Sequence, residues 1–304
     1  MIYLFLAVIC SSSIVLILKF SESRNLNRLA VTTANYVVAF LASFFFMINN
    51  DQLRLPENIF DLVPDISNSF STGASLPHES SFLWAILVGV FGGILYFCGF
   101  IVIQKSIRDN GAGITGAVSK IGIFIPMTFS IIFWKEYPSE IQWIGIVLAF
   151  GAIIFASYSP SQTKELKYLR KSLILVFIVV GFAEFSNKFF QKYALIEYKS
   201  VFLFTVFFTA FLISAVFTYL NNKKISRMDI LTGIMVGIPN MFTSFFIISA
   251  LKEVKTTVAF PVYSAGSIII INLGSYLIFK EKLSKKDLYA TGIIILAISL
   301  MSFQ

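Results

Sequence analysis

The sequence predicts an all-α membrane protein with ten transmembrane helices in two inverted five-helix repeats. The first observation behind this prediction is composition: hydrophobic residues make up 57% of the chain and charged residues 13%, with a mean hydropathy of +0.82. Soluble domains carry about 25% charged residues. The second is that the apolar residues form runs close to the roughly 20 residues that cross a bilayer. The third is an internal repeat. We therefore expect the lipid bilayer to surround the chain.

Ten apolar segments follow one another along the chain. They are Ile2–Leu18, Val31–Ile48, Phe82–Ile103, Ala112–Phe133, Ile141–Tyr158, Ser172–Tyr193, Val201–Leu220, Ile230–Leu251, Val258–Phe279 and Leu288–Phe303. The first segment lacks a basic start and a small-residue cleavage site, which favours a spanning helix over a signal peptide. Most connections are short, as in a compact bundle. The exception is the acidic, Ser-rich loop 49–81, which has room for a short interfacial helix.

The two halves of the chain carry similar sequence at an offset of 145 residues. At this offset Glu136 aligns with Glu281, and Ser119 aligns with Ser264. The predicted domains are therefore 1–159, which includes the long loop, and 167–304. Because each half crosses the membrane five times, the second half must enter in the opposite sense. Inverted repeats of this kind are typical of transporters whose substrate site lies near the midplane between the halves.

Small-residue motifs occupy corresponding segments of the two halves. Gly89 and Gly93 form one G-x-x-x-G motif, and Gly233 and Gly237 form the other. Such motifs allow the backbones of two membrane helices to approach closely. We expect both to lie in helix contacts.

The motif K-E-x-x-S closes the fourth and ninth segments, at Lys135–Ser139 and Lys280–Ser284. With ten segments in two halves, the chain resembles the EamA-type transporters of the drug/metabolite transporter superfamily along nearly its whole length. The resemblance implies a membrane transporter. It leaves the substrate open, since relatives export amino acids and other metabolites, take up solutes or exchange nucleotide sugars. The Trp-Gly pair usual in the first helix is replaced here by Cys10–Ser13.

Only three charged side chains lie well inside the apolar segments: Glu184, Lys188 and Lys120. Glu184, Asn187, Lys188 and Gln191 have helical spacing and therefore share one face of the sixth segment. An ionisable group near the bilayer centre costs at least about 2.5 to 3.5 kcal/mol and usually faces the bundle interior or a watery path. This face is the predicted centre of the functional site.

Two interpretations of these charges remain open from the sequence. In the functional one, Glu184 is a proton or cation site and Lys120 anchors an anionic group, which together suit a zwitterion. In the structural one, Glu184 pairs with Lys188 four residues later or with Lys120, and the charges only neutralise one another. Lys188 could also extend its long side chain towards the membrane interface.

Further polar residues complete the predicted substrate-binding or coupling site. They are Ser119, Tyr96, Asn240, Tyr263 and Ser264. The last three follow a proline within their segment, and irregular membrane helices often line a cavity. Hydrogen bonds between packed helices are the alternative for these side chains, and for the serines of the first segment.

The sequence predicts no catalytic residue, cofactor or metal, and no enzyme activity. Cys10 and Cys98 lie in apolar segments, the single histidine, His78, lies in the long loop, and no G-x-x-x-x-G-K-[ST] motif is present. A multi-pass membrane enzyme and a non-transporting sensor or assembly protein remain as alternatives. The expected partners are a small-molecule substrate and lipid, with no nucleic acid, for a monomer or homodimer.

The distribution of basic residues predicts an orientation in the cell membrane. The odd-numbered connections hold sixteen Lys and Arg residues and the even-numbered ones hold six. The positive-inside rule then places the odd connections in the cytoplasm and both termini outside. The resemblance implies the opposite, with both termini in the cytoplasm, so the two predictions conflict.

Overall fold

The computed structural model describes residues 1–49, 62–110, 112–157, 171–221, 223–280 and 285–302. Within these ranges the chain is helical and contains no strand. The helices are α1 (Ile2–Ser23), α2 (Arg28–Asn49), α3 (Leu62–Thr72), α4 (His78–Asn110), α5 (Ala112–Ile121), α6 (Phe124–Trp134), α7 (Glu140–Ser157), α8 (Lys171–Tyr193), α9 (Lys199–Leu220), α10 (Arg227–Glu253), α11 (Thr256–Phe279) and α12 (Lys285–Ser302).

The spanning helices agree with the ten predicted segments. Seven helices of the described residues are long and apolar enough to cross a membrane, and three shorter apolar stretches complete the set: Val118–Trp134, Glu140–Ala152 and Tyr289–Met301. In chain order the spanning segments are α1, α2, α4, α5 with α6, α7, α8, α9, α10, α11 and α12. The predicted all-α membrane fold is confirmed.

The fourth segment differs from its prediction as one continuous helix. The structure interrupts it between Ile121 and Phe124, where the Ile125 amide bonds to the Gly122 carbonyl over three residues. Pro126 has no N–H to donate to that carbonyl, so the regular i to i−4 bond cannot form. Gly122 also lies against α8, where an added Cβ would come within 3.1 Å of the Gly181 nitrogen.

The long loop contains the short helix for which the sequence left room. This helix, α3, packs on α4, and the ring of Phe70 lies 5.9 Å from that of Trp84 and 4.6 Å from that of Tyr193. His78 corrects the prediction, since it is the first residue of α4 and not a loop residue. Its Nδ1 lies 2.7 Å from the Glu197 carboxylate.

Contacts between the two halves follow an approximate two-fold exchange. The first spanning helix (α1) packs on the eighth (α10) and the ninth (α11). Correspondingly, the sixth spanning helix (α8) packs on the third (α4) and on both parts of the fourth (α5 and α6). α2 also packs on α9, and α7 packs on α12; exchanging the two halves turns each of these pairs into itself. The predicted boundary between the domains, residues 159 to 167, lies outside the described residues, so the division at that point stays a prediction.

The two ends of the bundle differ in packing. We call the end with Met1 and the α6–α7, α8–α9 and α10–α11 connections the terminal end, and the opposite end, with connections 24–27 and 221–226, the basic end. In α11 every residue from Thr256 to Ala265, towards the terminal end, is buried, whereas only Ser267 and Ser275 are buried in the rest of the helix. α11 is therefore more tightly packed towards the terminal end than towards the basic end.

The glycine contact between α10 and α2 yields a stability prediction. A Cβ added at Gly237 would lie 2.6 Å from the Asn35 carbonyl oxygen. Since a backbone carbonyl cannot move aside without displacing its helix, Gly237→Ala should lower the free energy of unfolding by about 1 to 3 kcal/mol. Thermal unfolding in detergent measures the effect, with Gly151→Ala as control because nothing lies within 4 Å of its added Cβ. Equal melting temperatures for the two variants would contradict this account of the contact.

Candidate functional site

The two central charges predicted from the sequence lie near each other inside the bundle. Glu184 lies near the middle of α8, and Lys120 lies at the end of α5, just before the break in the fourth segment. They are close enough for their charges to interact. The structure describes both side chains and shows no salt bridge or hydrogen bond between them. Each bonds to a neutral side chain instead.

The Glu184 side of the site is a chain of hydrogen bonds across three helices. Asn187 Nδ2 on α8 donates to Glu184 Oε2 at 3.2 Å and to the Tyr96 hydroxyl of α4 at 3.0 Å. The Tyr96 hydroxyl lies 2.9 Å from Ser244 Oγ on α10. These bonds fix the orientation of the Asn187 amide beside the carboxylate.

The Lys120 side of the site joins α5 to α1 and α11. Lys120 Nζ donates to Ser11 Oγ at 3.3 Å, and the Tyr263 hydroxyl donates to the same oxygen at 3.0 Å. Lys120 Nζ also lies 5.0 Å from the centre of the Tyr263 ring, a cation–π geometry. Ser264 Oγ donates to the Lys120 carbonyl at 3.4 Å, which ties α11 to the end of α5.

Partial exposure distinguishes the residues that border open space within the bundle. Glu184, Lys120 and Tyr96 are each half-buried, although contacts from several helices surround them. Their partners Asn187 and Tyr263 are almost fully buried, at 1% and 4% exposure. Side chains from α1, α4, α5, α8, α10 and α11 thus surround a central polar space that holds one carboxylate and one ammonium.

Lys188, a predicted member of the site, lies elsewhere. Its Nζ is 2.7 Å from Glu136 Oε1 in the α6–α7 connection and 3.0 Å from Gln191 Oε1, and its side chain is only 4% exposed. The sequence-based alternative of pairing with Glu184 is therefore wrong for Lys188. The other alternative, extension of its side chain towards the membrane end, agrees with its contact in the α6–α7 connection. Lys188 takes part in the closure of the terminal end.

Glu136 connects three elements at that end. Oε1 accepts the bond from Lys188, and Oε2 accepts the backbone N–H of Thr256 at the start of α11, at 2.8 Å. Burial raises the pKa of Glu136, but the Lys188 ammonium and the hydrogen bonds from Lys188 and Thr256 outweigh it and hold that pKa below its ordinary value. Glu136, Lys188 and Gln191 line one side of a cavity of about 370 Å³ at the terminal end.

The other two predicted residues have different positions. Asn240 Nδ2 donates to Asn35 Oδ1 at 3.0 Å in the contact between α10 and α2, which is the helix-to-helix hydrogen bond that the sequence left as the alternative. Ser119 is half-buried and precedes Lys120 on α5. Asn240 therefore does not join the Glu184 and Lys120 groups.

Sequence reasoning missed two residues of this arrangement. Ser11 accepts bonds from both Lys120 and Tyr263, whereas its position in an apolar segment favours helix packing. The polar run Ser11–Ser13 in an otherwise apolar segment was the available signal. Glu136 was recognised only as part of a repeated motif, because nothing in the sequence indicates that its connection contacts α8 and α11.

A second cavity, of about 610 Å³, opens at the basic end. Arg28 on its wall forms a two-pronged ion pair with Glu22, at 2.6 and 2.5 Å. Gln104, on the same wall, lies on α4 about two turns beyond Tyr96. The cavity thus reaches the helix that carries one of the central tyrosines. Among the described residues, no group of three or more His, Cys, Asp or Glu side chains could hold a metal ion.

Comparison with known proteins decides the family. The profile of the EamA-like transporter family matches residues 1–158, more than half of the chain. The chain belongs to the EamA-like transporter family. It is an integral multi-pass membrane protein of transporter type, which fits the expectation that it is not an enzyme.

Two further likenesses extend over nearly the whole chain. An uncharacterized protein of Haemophilus influenzae is 23% identical over 284 residues, which cover 93% of this chain and 91% of that protein. A protein of known crystal structure is 12% identical, with a TM-score of 0.68 over 99% of this chain and 96% of that one. At that identity the second likeness shows a shared fold.

The Glu136 contacts yield a prediction on pH and stability. A carboxyl group with a lowered pKa stabilises the folded state above its ordinary pKa of 4.5, and this contribution is lost as pH falls through the lowered value. Glu136→Gln should remove it and leave the buried Lys188 ammonium without its counter-charge, which costs about 3 to 5 kcal/mol. We expect a lower melting temperature for the variant at pH 7, and a smaller fall than in the wild type between pH 6 and pH 3.

Glu253→Gln is the matched control, because the Glu253 carboxylate is exposed and lies 3.9 Å from the terminal amine. Exposed pairs of this kind contribute about 0 to 1 kcal/mol. If both variants melted alike at pH 7, Glu136 would not have the stabilising role that its contacts indicate.

Proposed function

We propose that this protein is a secondary transporter that moves a small polar organic metabolite across the cell membrane by alternating access. One observation carries the proposal: Glu184 and Lys120 face the same central space from different helices without pairing directly. A site that only neutralised its charges would gain most from a direct salt bridge. The space between them instead suits a molecule that carries both a positive and a negative group.

The chemistry of the two sides supports a zwitterion such as an amino acid. The Glu184 carboxylate attracts a cationic group, and Lys120 with Ser11 offers donors to an anionic one. Charged hydrogen bonds are stronger in a desolvated site than in water. A ligand with an amine and a carboxylate would satisfy both sides at once, whereas a neutral ligand would leave two charges inside the membrane without partners.

The difference between the two ends supports alternating access. The central site lies below a packed terminal end, where Glu136 of the first half bonds to Lys188 and Thr256 of the second. The basic end is looser and contains the larger cavity. The substrate would reach the site from the basic end in this conformation, and opening the terminal end would require the Glu136 contacts to break.

Proton coupling would fit the same site. When a cationic substrate leaves, Glu184 loses its counter-charge, and binding a proton would neutralise the carboxylate in its place. A substrate ammonium and a proton would then compete for one side chain. Such competition is the simplest way in which a single carboxylate couples two fluxes.

Ligand binding is the first test of this function. A library of amino acids, amines, carboxylates and sugars is screened by thermal shift on wild type, Glu184→Gln and Lys120→Met. We expect amine–carboxylate ligands to stabilise the wild type and to lose at least about tenfold in affinity in both variants, since each variant removes a charged hydrogen bond.

Lys199→Met serves as the control for loss of a buried lysine. Lys199 bonds to Ser249 at 2.6 Å, and within the described part of the chain no hydrogen bond or ion pair links it to the central residues. The control should bind ligand as the wild type does. Ligands that stabilise all four proteins equally would show that Glu184 and Lys120 are structural.

Orientation and location can be tested by labelling intact cells. In a background with Cys10 and Cys98 replaced by alanine, single cysteines are placed at Lys223, on the basic end, or at Lys252, on the terminal end; both positions are exposed. The positive-inside rule predicts that a membrane-impermeant maleimide labels Lys252→Cys directly and Lys223→Cys only after permeabilisation. The reverse pattern would place the termini in the cytoplasm. Labelling of neither position on intact cells would contradict a location in the cell membrane.

A further inference from the structure

The amide oxygen of Asn187 stands out among the polar atoms around the central space. Asn187 is 1% exposed, and its Nδ2 donates to both Glu184 and Tyr96. Its Oδ1 is buried and has no hydrogen-bond partner within the part of the chain that the structure describes. Buried polar atoms are almost always paired, so an exception of this kind calls for an explanation.

Turning the amide would not resolve the exception. If Asn187 were rotated by half a turn about its last side-chain bond, Oδ1 would face the Glu184 carboxylate oxygen and Nδ2 would take the unpaired position. Two acceptors would then oppose each other at about the present 3.2 Å. While Glu184 is ionised, its contact with Asn187 therefore fixes which atom of the amide is left without a partner.

The unpaired oxygen and the carboxylate form a pair of acceptors. Glu184 and Asn187 are three residues apart on α8, so their side chains lie on one face of the helix. A ligand group that satisfies both must carry a positive charge and more than one hydrogen to donate. An ammonium group does so, because each N–H can point to a separate acceptor.

The opposite side of the space strengthens this assignment. Ser11 accepts bonds from Lys120 and Tyr263, which leaves its own hydroxyl hydrogen to be donated. The carboxylate thus lies on α8, and the donors lie on α1 and α5. A substrate must therefore turn its ammonium towards Glu184 and its anionic group towards Lys120.

We infer that Glu184 and Asn187 together select a substrate ammonium that carries at least two N–H groups, and reject tertiary and quaternary ammonium groups. This inference rests on the proposed function in that it assigns the cationic half of the same central site. It goes further by naming Asn187 as the specificity-determining residue and by predicting which amines are excluded.

A methylation series tests the inference without any mutation. The probes are alanine, leucine and phenylalanine, each with its N-methyl, N,N-dimethyl and N,N,N-trimethyl derivatives, together with 3-methylbutylamine, which lacks the carboxylate. Binding to the purified wild-type protein is measured by thermal shift and by competition. We expect the affinity to fall by about tenfold or more from the N-methyl to the N,N-dimethyl derivative, where the second N–H is lost.

Two variants distinguish the contribution of Asn187 to binding from general effects on the fold. Asn187→Leu, of similar size, should weaken binding of the unmethylated ligand by about tenfold and leave that of the trimethyl derivative unchanged. Lys199→Met removes an ammonium that bonds to Ser249, away from Asn187, and should preserve the discrimination of the wild type. If Asn187→Leu does not fold, the methylation series on the wild type still decides.

The outcomes separate this inference from the proposed function. Equal binding of the primary and trimethylated ligands would overturn the inference and leave a zwitterion transporter standing. Binding of 3-methylbutylamine as tight as that of leucine, with loss on methylation, would support the inference and contradict the zwitterion. Stabilisation by sodium chloride alone, with no amine effect, would assign the acceptors to a metal cation and overturn the inference. Absence of any amine binding would overturn both.

Discussion

The cost of holding a charge inside the bilayer governs the arrangement of this bundle. A carboxylate or ammonium facing lipid costs several kcal/mol, so each central charge must face the interior and have polar neighbours. Glu184 meets this requirement through Asn187 and Tyr96, and Lys120 through Ser11 and Tyr263. These neighbours come from α1, α4 and α11 as well as α8. The helices that surround the site are therefore those that supply polar partners to its two charges.

The same cost explains why the third membrane charge lies away from the other two. Lys188 finds a full counter-charge in Glu136, at 2.7 Å, and becomes almost completely buried. A buried pair of this kind adds little net stability compared with an apolar pair, but losing one partner is costly. Its value is in specificity, because the pair forms only when the α6–α7 connection, α8 and the start of α11 meet. The pair therefore holds these three elements together in this conformation.

Much of the fold could be predicted from the sequence, and less of the site. Apolar segments of spanning length and the 145-residue repeat indicate the helices and their order, since both features are local or periodic. The position of Lys188 could not be predicted, because helical spacing places it equally well beside Glu184. Only the contact with Glu136, 52 residues earlier in the chain, decides its partner. Ser11 was missed for a related reason. A serine in a membrane helix usually forms hydrogen bonds that join packed helices, and its contact with Lys120 depends on how α1 packs against α5.

The interruption of the fourth segment has a mechanical consequence. Between Ile121 and Phe124 a single three-residue turn, from the Ile125 amide to the Gly122 carbonyl, replaces the regular ladder, and Pro126 removes one of its donors. A change in the angle between α5 and α6 at this point would break fewer backbone hydrogen bonds than one inside a continuous helix. Lys120 lies two residues before the pivot, while Gly122 itself rests on the backbone of α8 at Gly181. A swing of α5 would carry the ammonium towards or away from Glu184 while the pivot stays in place. The distance between the two charges would then report directly on how far the basic end is open.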